Sequence, residues 1–256
     1  MSRRTIFIGG VVLAVAVVGA FVVWALFLRG DAPPPVDLDS AVASISSPTA
    51  TAEVTPASTS TTAATTTTDV TATATPAVDP ADVPSWELVA ADSFVGYRVV
   101  EELANIGANT AVGRTSSVGG SLVFDGTAII GVDVVADLTQ LESDDSRRDR
   151  QLRSRGIQTN DFPTATFTLT SPIEIDAVPG EGETIIATAV GDFTLHGITR
   201  SVEIPIEGVL SGGFVIIVGS LEVVFADYEI EGPTGRSMLS IEDQGVMEFQ
   251  LVFAPA

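Results

Sequence analysis

His196 is the only histidine in this 256-residue chain. It sits in Gly191–Gly208, GDFTLHGITRSVEIPIEG, between two runs that alternate apolar and polar residues. A lone imidazole invites a catalytic reading, but a general base needs an orienting group and a nucleophile, and a metal needs further ligands of matching type. The chain has no second histidine and no cysteine, and the nearby Asp192 lies before the turn on a strand. The structural reading is stronger. Period-two alternation on both sides marks strands, and His196-Gly197 between them marks a tight hairpin whose glycine takes a positive φ. No catalytic residue, metal site or cofactor is therefore assigned, and the chain is read as a non-enzyme.

Two other clusters carry charge. Ser143–Arg155, SDDSRRDRQLRSR, holds Arg147, Arg148, Arg150, Arg153 and Arg155. Guanidinium forks match phosphate oxygens, so Arg147 and Arg148 are candidate contacts for a phosphate-type head group. Asp144, Asp145 and Asp149 lie within helical reach and can pair with the same arginines on a solvated face. Asp227 and Glu229 alternate near the end of Phe214–Ile230, a run read as strand, and Glu231 follows just past it in the same alternation. Paired carboxylates can serve glycoside hydrolysis or hold a cation, yet acids on one face of an outer strand more often face solvent. Glycine-rich phosphate loops of the nucleotide-binding type are absent.

Behind these clusters stand three regions. Residues 1–30 contain Ile6–Leu28, an uninterrupted run of apolar and small residues, preceded by Arg3 and Arg4. It is long enough for a bilayer core of about 30 Å and exceeds the apolar core typical of a cleaved leader, so an uncleaved anchor is expected, the alternative being a cleaved signal. The positive-inside rule puts the N-terminus in the cytoplasm and the rest outside, as a single-pass membrane protein with an extracytoplasmic C-terminal domain. Residues 31–84 are rich in Thr, Ala, Ser and Pro. They are expected to form a disordered tether, reaching roughly 40 Å as a coil and about 170 Å if extended. The net charge of −21, with no lysine at all, should repel DNA, RNA and anionic lipid surfaces unless it is locally reversed, so no nucleic-acid partner is expected, and it suits a soluble body.

Residues 85–256 read as the folded domain. Ser93–Val100 places Val95, Tyr97 and Val99 on one face; Ser121–Asp125 ends at an Asp125-Gly126 hairpin. Ala128–Leu138 sets Ile130, Val132, Val134 and Leu138 against Asp133 and Asp137. Thr164–Thr170, Thr184–Leu195, Thr199–Leu210 and Gly245–Phe253 follow, the last with Met247, Phe249, Leu251 and Phe253 opposite Glu248 and Gln250. Eight or more antiparallel strands with one apolar face each must pack as two sheets or close into a barrel, and alternation leaves both open. Ser143–Arg155 breaks the pattern and reads as a short surface helix with Ser143 as N-cap and Gly156 as its stop. Tyr97, Phe124, Val134, Phe167, Phe193, Leu221, Phe225 and Phe249 are the candidates to line a cavity, unless they simply fill the interior.

An ordered set of pieces resembles one bacterial family, the YceI-like proteins. The pieces are SFVGYRV from Ser93, GGSLVFD from Gly119, the Ser146-Arg147-Arg148-Asp149 core of Leu138–Leu152, FPTATF from Phe162, GDFTLHGIT from Gly191 and FADY from Phe225. The resemblance implies an all-β, lipocalin-like antiparallel barrel of about eight strands with an elongated apolar cavity. It implies binding of an isoprenoid or fatty-acyl lipid in the cell envelope; the alternative is a ligand-free structural or interaction barrel. Many members carry a histidine shortly after the piece seen here as Tyr97-Arg98-Val99. This chain has Val100-Glu101-Glu102, so that residue's role does not transfer, and Glu101–Thr110 is expected to be a loop that shapes the cavity mouth.

Overall fold

The protein is described by a computed structural model covering residues 32–46, 84–104, 107–175, 179–232 and 238–256. The apolar run Ile6–Leu28 and residues 47–83 of the Thr-rich stretch lie outside the described residues. Among the described residues no helix is long and apolar enough to cross a membrane.

Thirteen strands form one sheet: β1 (Ser85–Leu88), β2 (Phe94–Leu103), β3 (Gly107–Thr115), β4 (Val118–Phe124), β5 (Ala128–Asp137), β6 (Glu142–Ser143), β7 (Thr164–Leu169), β8 (Ile173–Glu174), β9 (Thr184–Leu195), β10 (Ile198–Ser211), β11 (Phe214–Val224), β12 (Met238–Ile241) and β13 (Gln244–Pro255). Neighbours run β1-β4-β5-β7-β9-β10-β11-β13, and β13 pairs again with β1, so eight strands close an antiparallel barrel. β2 continues β1 along the same edge of β13, and β3 pairs with β2. The kink between β1 and β2 is held by Ser93, which is almost fully buried. Its hydroxyl donates to the Val89 carbonyl at 2.7 Å and accepts the Val252 amide at 2.9 Å.

The interior follows from alternation. Leu122, Val132, Phe193, Ile204, Phe249 and Phe253 are all buried in the main core. Ile130 departs from expectation and is 43% exposed. The register jumps from Val123↔Gly131 to Phe124↔Ile129, so a bulge at Ile130 turns that side chain out and Ile129 in. The hairpin at Asp125 is as read: its carboxylate accepts from the amides of Thr127 and Ala128, and Gly126 has φ +100°. His196 and Gly197 have φ +53° and +75°, the type I′ geometry that matches strand twist. The last long run stops early. β11 ends at Val224, and Phe225–Tyr228 is a single 3₁₀ turn followed by Glu229 in the left-handed region.

The expected tether begins with ordered structure. Residues 32–37 lie on the barrel wall and lead into helix α1 (Leu38–Ser46). Asp37 starts it by accepting the Ser40 amide at 2.9 Å. Leu38, Ala41, Val42 and Ile45 fall at helical spacing and pack on Val209, Ile216, Val218 and Val252, making a second core on the outside of β10, β11 and β13. This is why Glu248 and Gln250, on the face opposite Met247 and Phe249, are buried. Glu248 accepts from Arg114 at 2.7 Å and Arg98 at 3.4 Å, and these arginines donate to the carbonyls of Pro34 and Pro33. Gln250 donates to the Asp92 carbonyl at 2.9 Å.

Helix α2 (Ser146–Ser154) is shorter than expected. Its N-cap is Asp145, whose carboxylate accepts the Arg147 amide, and Ser143 belongs to β6 instead. Gly156, at φ +65°, follows its end.

If α1 is part of the fold, Leu38→Ala removes a buried side chain. It is expected to lower the unfolding free energy by about 2 kcal/mol in urea titrations. A segment that merely tethers would show no change.

Candidate functional site

Alternation sends every second side chain of the wall inward, and the inward space is not filled. A cavity of about 400 Å³, partly open to solvent, lies at the α2 end of the barrel. That size is in the range that holds one small organic ligand. Val95, Tyr97, Val99 and Glu101 of β2 line it in sequence, with Val246 and Met247 of β13 beside them and Arg147, Arg148 and Leu152 of α2 across the end. A second, smaller space of about 70 Å³ lies deeper, among Val134, Phe167, Ile206, Phe249 and Phe253. Val95, Ala165, Phe193 and Met247 line both, so they form the neck between the chambers.

Aromatic rings reach across the strands because glycines lie under them. A Cβ on Gly113 would come within 2.5 Å of the Tyr97 ring, and one on Gly219 within 2.6 Å of the Phe249 ring. Both aromatics sit directly opposite their glycines in the register, so the rings lie along the wall.

The deep chamber is apolar, but the α2 end carries charge. Glu101 is 4% exposed and accepts from Arg148 at 2.8 Å and from Asn109 at 2.8 Å. Arg148 also pairs with Asp144, four residues back and just before the helix cap. Burial works against the Arg148 charge, but Asp144 and Glu101 outweigh it and raise its pKa. Asp149 turns away from the arginines and accepts from the amide and hydroxyl of Ser143. The Arg148-Asp149 pair thus ties α2 to β2 and β6. The Tyr97 hydroxyl is buried without a hydrogen-bond partner. Burial pushes its pKa up to about 12, with Arg148 pulling down and Asp149 pushing up.

The candidate residues divide as follows. Tyr97 and Phe225 line the large chamber, Val134, Phe167 and Phe249 the deep one, and Phe193 both. Phe124 and Leu221 pack against the main core and line neither. Arg147 and Arg148 line the large chamber, although Arg148 is already engaged by two carboxylates. Glu101 escaped notice in the sequence. It lies in β2, not in a loop, and continuing the Val95-Tyr97-Val99 face by one more step of two reaches it.

His196 is buried, and its Nε2 has no hydrogen-bond partner. Its Nδ1 donates to the Tyr228 carbonyl at 2.8 Å, and its ring packs on Phe162 with centroids 4.2 Å apart. Arg200 holds the same turn from outside, donating to the Asp227 carbonyl and pairing with its carboxylate at 3.3 Å. Asp227, Glu229 and Glu231 therefore share no strand face, because the chain turns between them. Among the described residues no group of three His, Cys, Asp or Glu is placed to hold a metal ion.

Comparison with known proteins adds three findings. The family model of the YceI-like domain matches residues 86–253. A UPF0312 protein of Vibrio vulnificus is 30% identical over 141 residues, 50% of this chain and 69% of the relative. Another, from Vibrio campbellii, is 29% identical over 153 residues, 55% of this chain and 76% of the relative. Among solved structures, a polyisoprenoid binding domain from Saccharophagus degradans implicated in plant cell wall breakdown superposes with a TM-score of 0.54 at 17% identity, covering 67% of this chain and 98% of that one. BcnA of Burkholderia cenocepacia gives 0.51 at 17% identity, covering 64% and 98%. At such identities the likeness is one of fold.

Two outcomes test the polar end. Arg148→Met leaves Glu101 buried and unpaired and is expected to cost about 3 kcal/mol in denaturant unfolding. Adding Glu101→Gln should recover most of that loss, because the uncompensated charge is gone. Tyr97 holds its proton more tightly folded than unfolded, so its contribution is complete below pH 10 and is lost as pH rises through about 12. Tyr97→Phe should flatten the fall in stability over that window and remove the late step in phenolate absorbance.

Proposed function

The chain belongs to the YceI-like family, and on that premise we propose that its barrel is a receptacle for one elongated lipid, an isoprenoid or fatty-acyl amphiphile, anchored to the membrane and working outside the cytoplasm. The observation that carries this reading is the lumen itself: two neighbouring chambers that share the four side chains of the neck as their boundary, the inner one lined by hydrocarbon and aromatic side chains. A chain threaded through them gains about 0.8 kcal/mol for each methylene-sized unit taken from water. Affinity then rises with chain length and needs no polar recognition. The polar end of the amphiphile belongs at α2, where Arg147, Arg148 and Gln151 meet the large chamber. The polyisoprenoid-binding domain of Saccharophagus degradans, which shares the fold, supports the same ligand class.

The anchor is Ile6–Leu28, with Arg3 and Arg4 on its cytoplasmic side. Binding, not catalysis, is the reading the side chains favour. The one imidazole is spent on a turn carbonyl, and the buried carboxylate of the lumen is neutralised by Arg148.

Native mass spectrometry of the protein purified from its own cells is expected to show one bound lipid. Ala165, at the neck and 6% exposed, is the place to block it. Ala165→Phe is expected to weaken binding of a long isoprenoid at least about tenfold, or 1.4 kcal/mol, while the cooperative melt persists. A lipid-free protein that ignores added isoprenoids, before and after this substitution, would overturn the reading.

A further inference from the structure

We infer that residues 33–46 are a strap that holds the α2 end of the barrel at the membrane surface. The inference rests on the proposal that Ile6–Leu28 is an anchor. The strap is built at two levels of the wall. At the first, the Pro33 carbonyl accepts from Arg98 at 2.6 Å and the Pro34 carbonyl from Arg114 at 3.4 Å. Both arginines are held by Glu248, whose side chain is only 2% exposed. At the second, Leu38, Ala41 and Ile45 pack on Val209, Ile216 and Val252.

The register says which level is nearer α2. Inward residues of β2 pass from the neck at Val95 to Glu101 beside α2, and Arg98 pairs with Val246 on β13. Val252 is six residues farther along β13, toward Phe253 of the deep chamber, or about 20 Å away. The strap therefore descends from the level of the large chamber, and its upstream end points toward the α2 end. Four residues separate Leu28 from Pro33, a gap that a fully extended chain spans in at most about 18 Å. A barrel strapped in this way cannot drift to the end of a long tether. Its lipid-accepting end stays beside the bilayer, and the partner of that end is the bilayer surface itself.

The absence of cysteine makes the test direct, since one introduced thiol takes one label. The full chain, labelled through Arg150→Cys on α2 or through Glu174→Cys at the deep end, is placed in phosphatidylcholine vesicles carrying an acceptor dye on a headgroup lipid. Energy transfer is expected to be stronger from the Arg150 position, and a shorter Gly/Ser replacement for residues 47–83 should leave it unchanged. Leu38→Asp combined with Arg114→Ala should free the strap and lower transfer from the Arg150 position to that of the Glu174 position. Transfer that rises as residues 47–83 are shortened, or that ignores the freed strap, overturns the inference with the anchor intact. A chain that washes out of the vesicles in alkaline carbonate overturns the anchor, and the strap's role with it.

Discussion

The barrel closes because one hydroxyl stands in for a strand. β13 needs hydrogen-bond partners along its whole length, but the chain beside it breaks at residues 89–93 to pass from β1 to β2. Ser93 fills that break. It takes the Val252 amide and gives its own proton to the Val89 carbonyl, while the Val89 amide bonds to the Val252 carbonyl. An unpaired amide in a buried wall costs about 1–3 kcal/mol, comparable to much of what a small domain has to spare. With that gap bridged, β2 can splay from β1 and carry β3 outward. The large chamber lies at the α2 end, lined by β2, and the smaller one lies deeper.

The same wall uses its two faces differently. Inward residues of β2 bring Glu101 to Arg148 beside the cavity; outward residues bring Arg98 to Glu248 beneath the strap. Both carboxylates are nearly inaccessible, and both have arginine partners, as buried charge requires. One pair fastens a helix over the lumen, and the other fastens the N-terminal segment to the outside. Glycines opposite Tyr97 and Phe249 let those rings lie along the wall, which keeps the centre from filling.

Much of this was legible as letters, and the omissions have physical causes. Alternation disclosed the inward faces, the Asp125 and His196 hairpins and most cavity aromatics, because a strand's period is fixed by backbone geometry. It failed at Ile130, where one extra residue inverts the period, and at Phe225–Tyr228, where Asp227 and Glu229 fall two apart in sequence but the chain turns in space. Glu101 was hidden by its charge: period two pointed to it, but an acid is not expected inside without a partner 47 positions away. The strap was hidden by its neighbours. Asp37, Leu38, Ala41, Val42 and Ile45 carry the marks of a capped amphipathic helix, but they adjoin a Thr-rich stretch whose composition dominates any window.

The neck has a consequence for how this lumen can evolve. Two compartments in series, separated by Val95, Ala165, Phe193 and Met247, measure what enters them. For a guest of the proposed kind, a short one would occupy the outer compartment alone and gain nothing from the inner one, whereas a long one would have to pass all four side chains to collect the extra burial. The barrel is thus a ruler graduated at one mark. Moving that mark takes a change at one of four positions, and because Val95, Ala165 and Phe193 also belong to the buried core, such a change would act on the length that fits and on the stability of the container together.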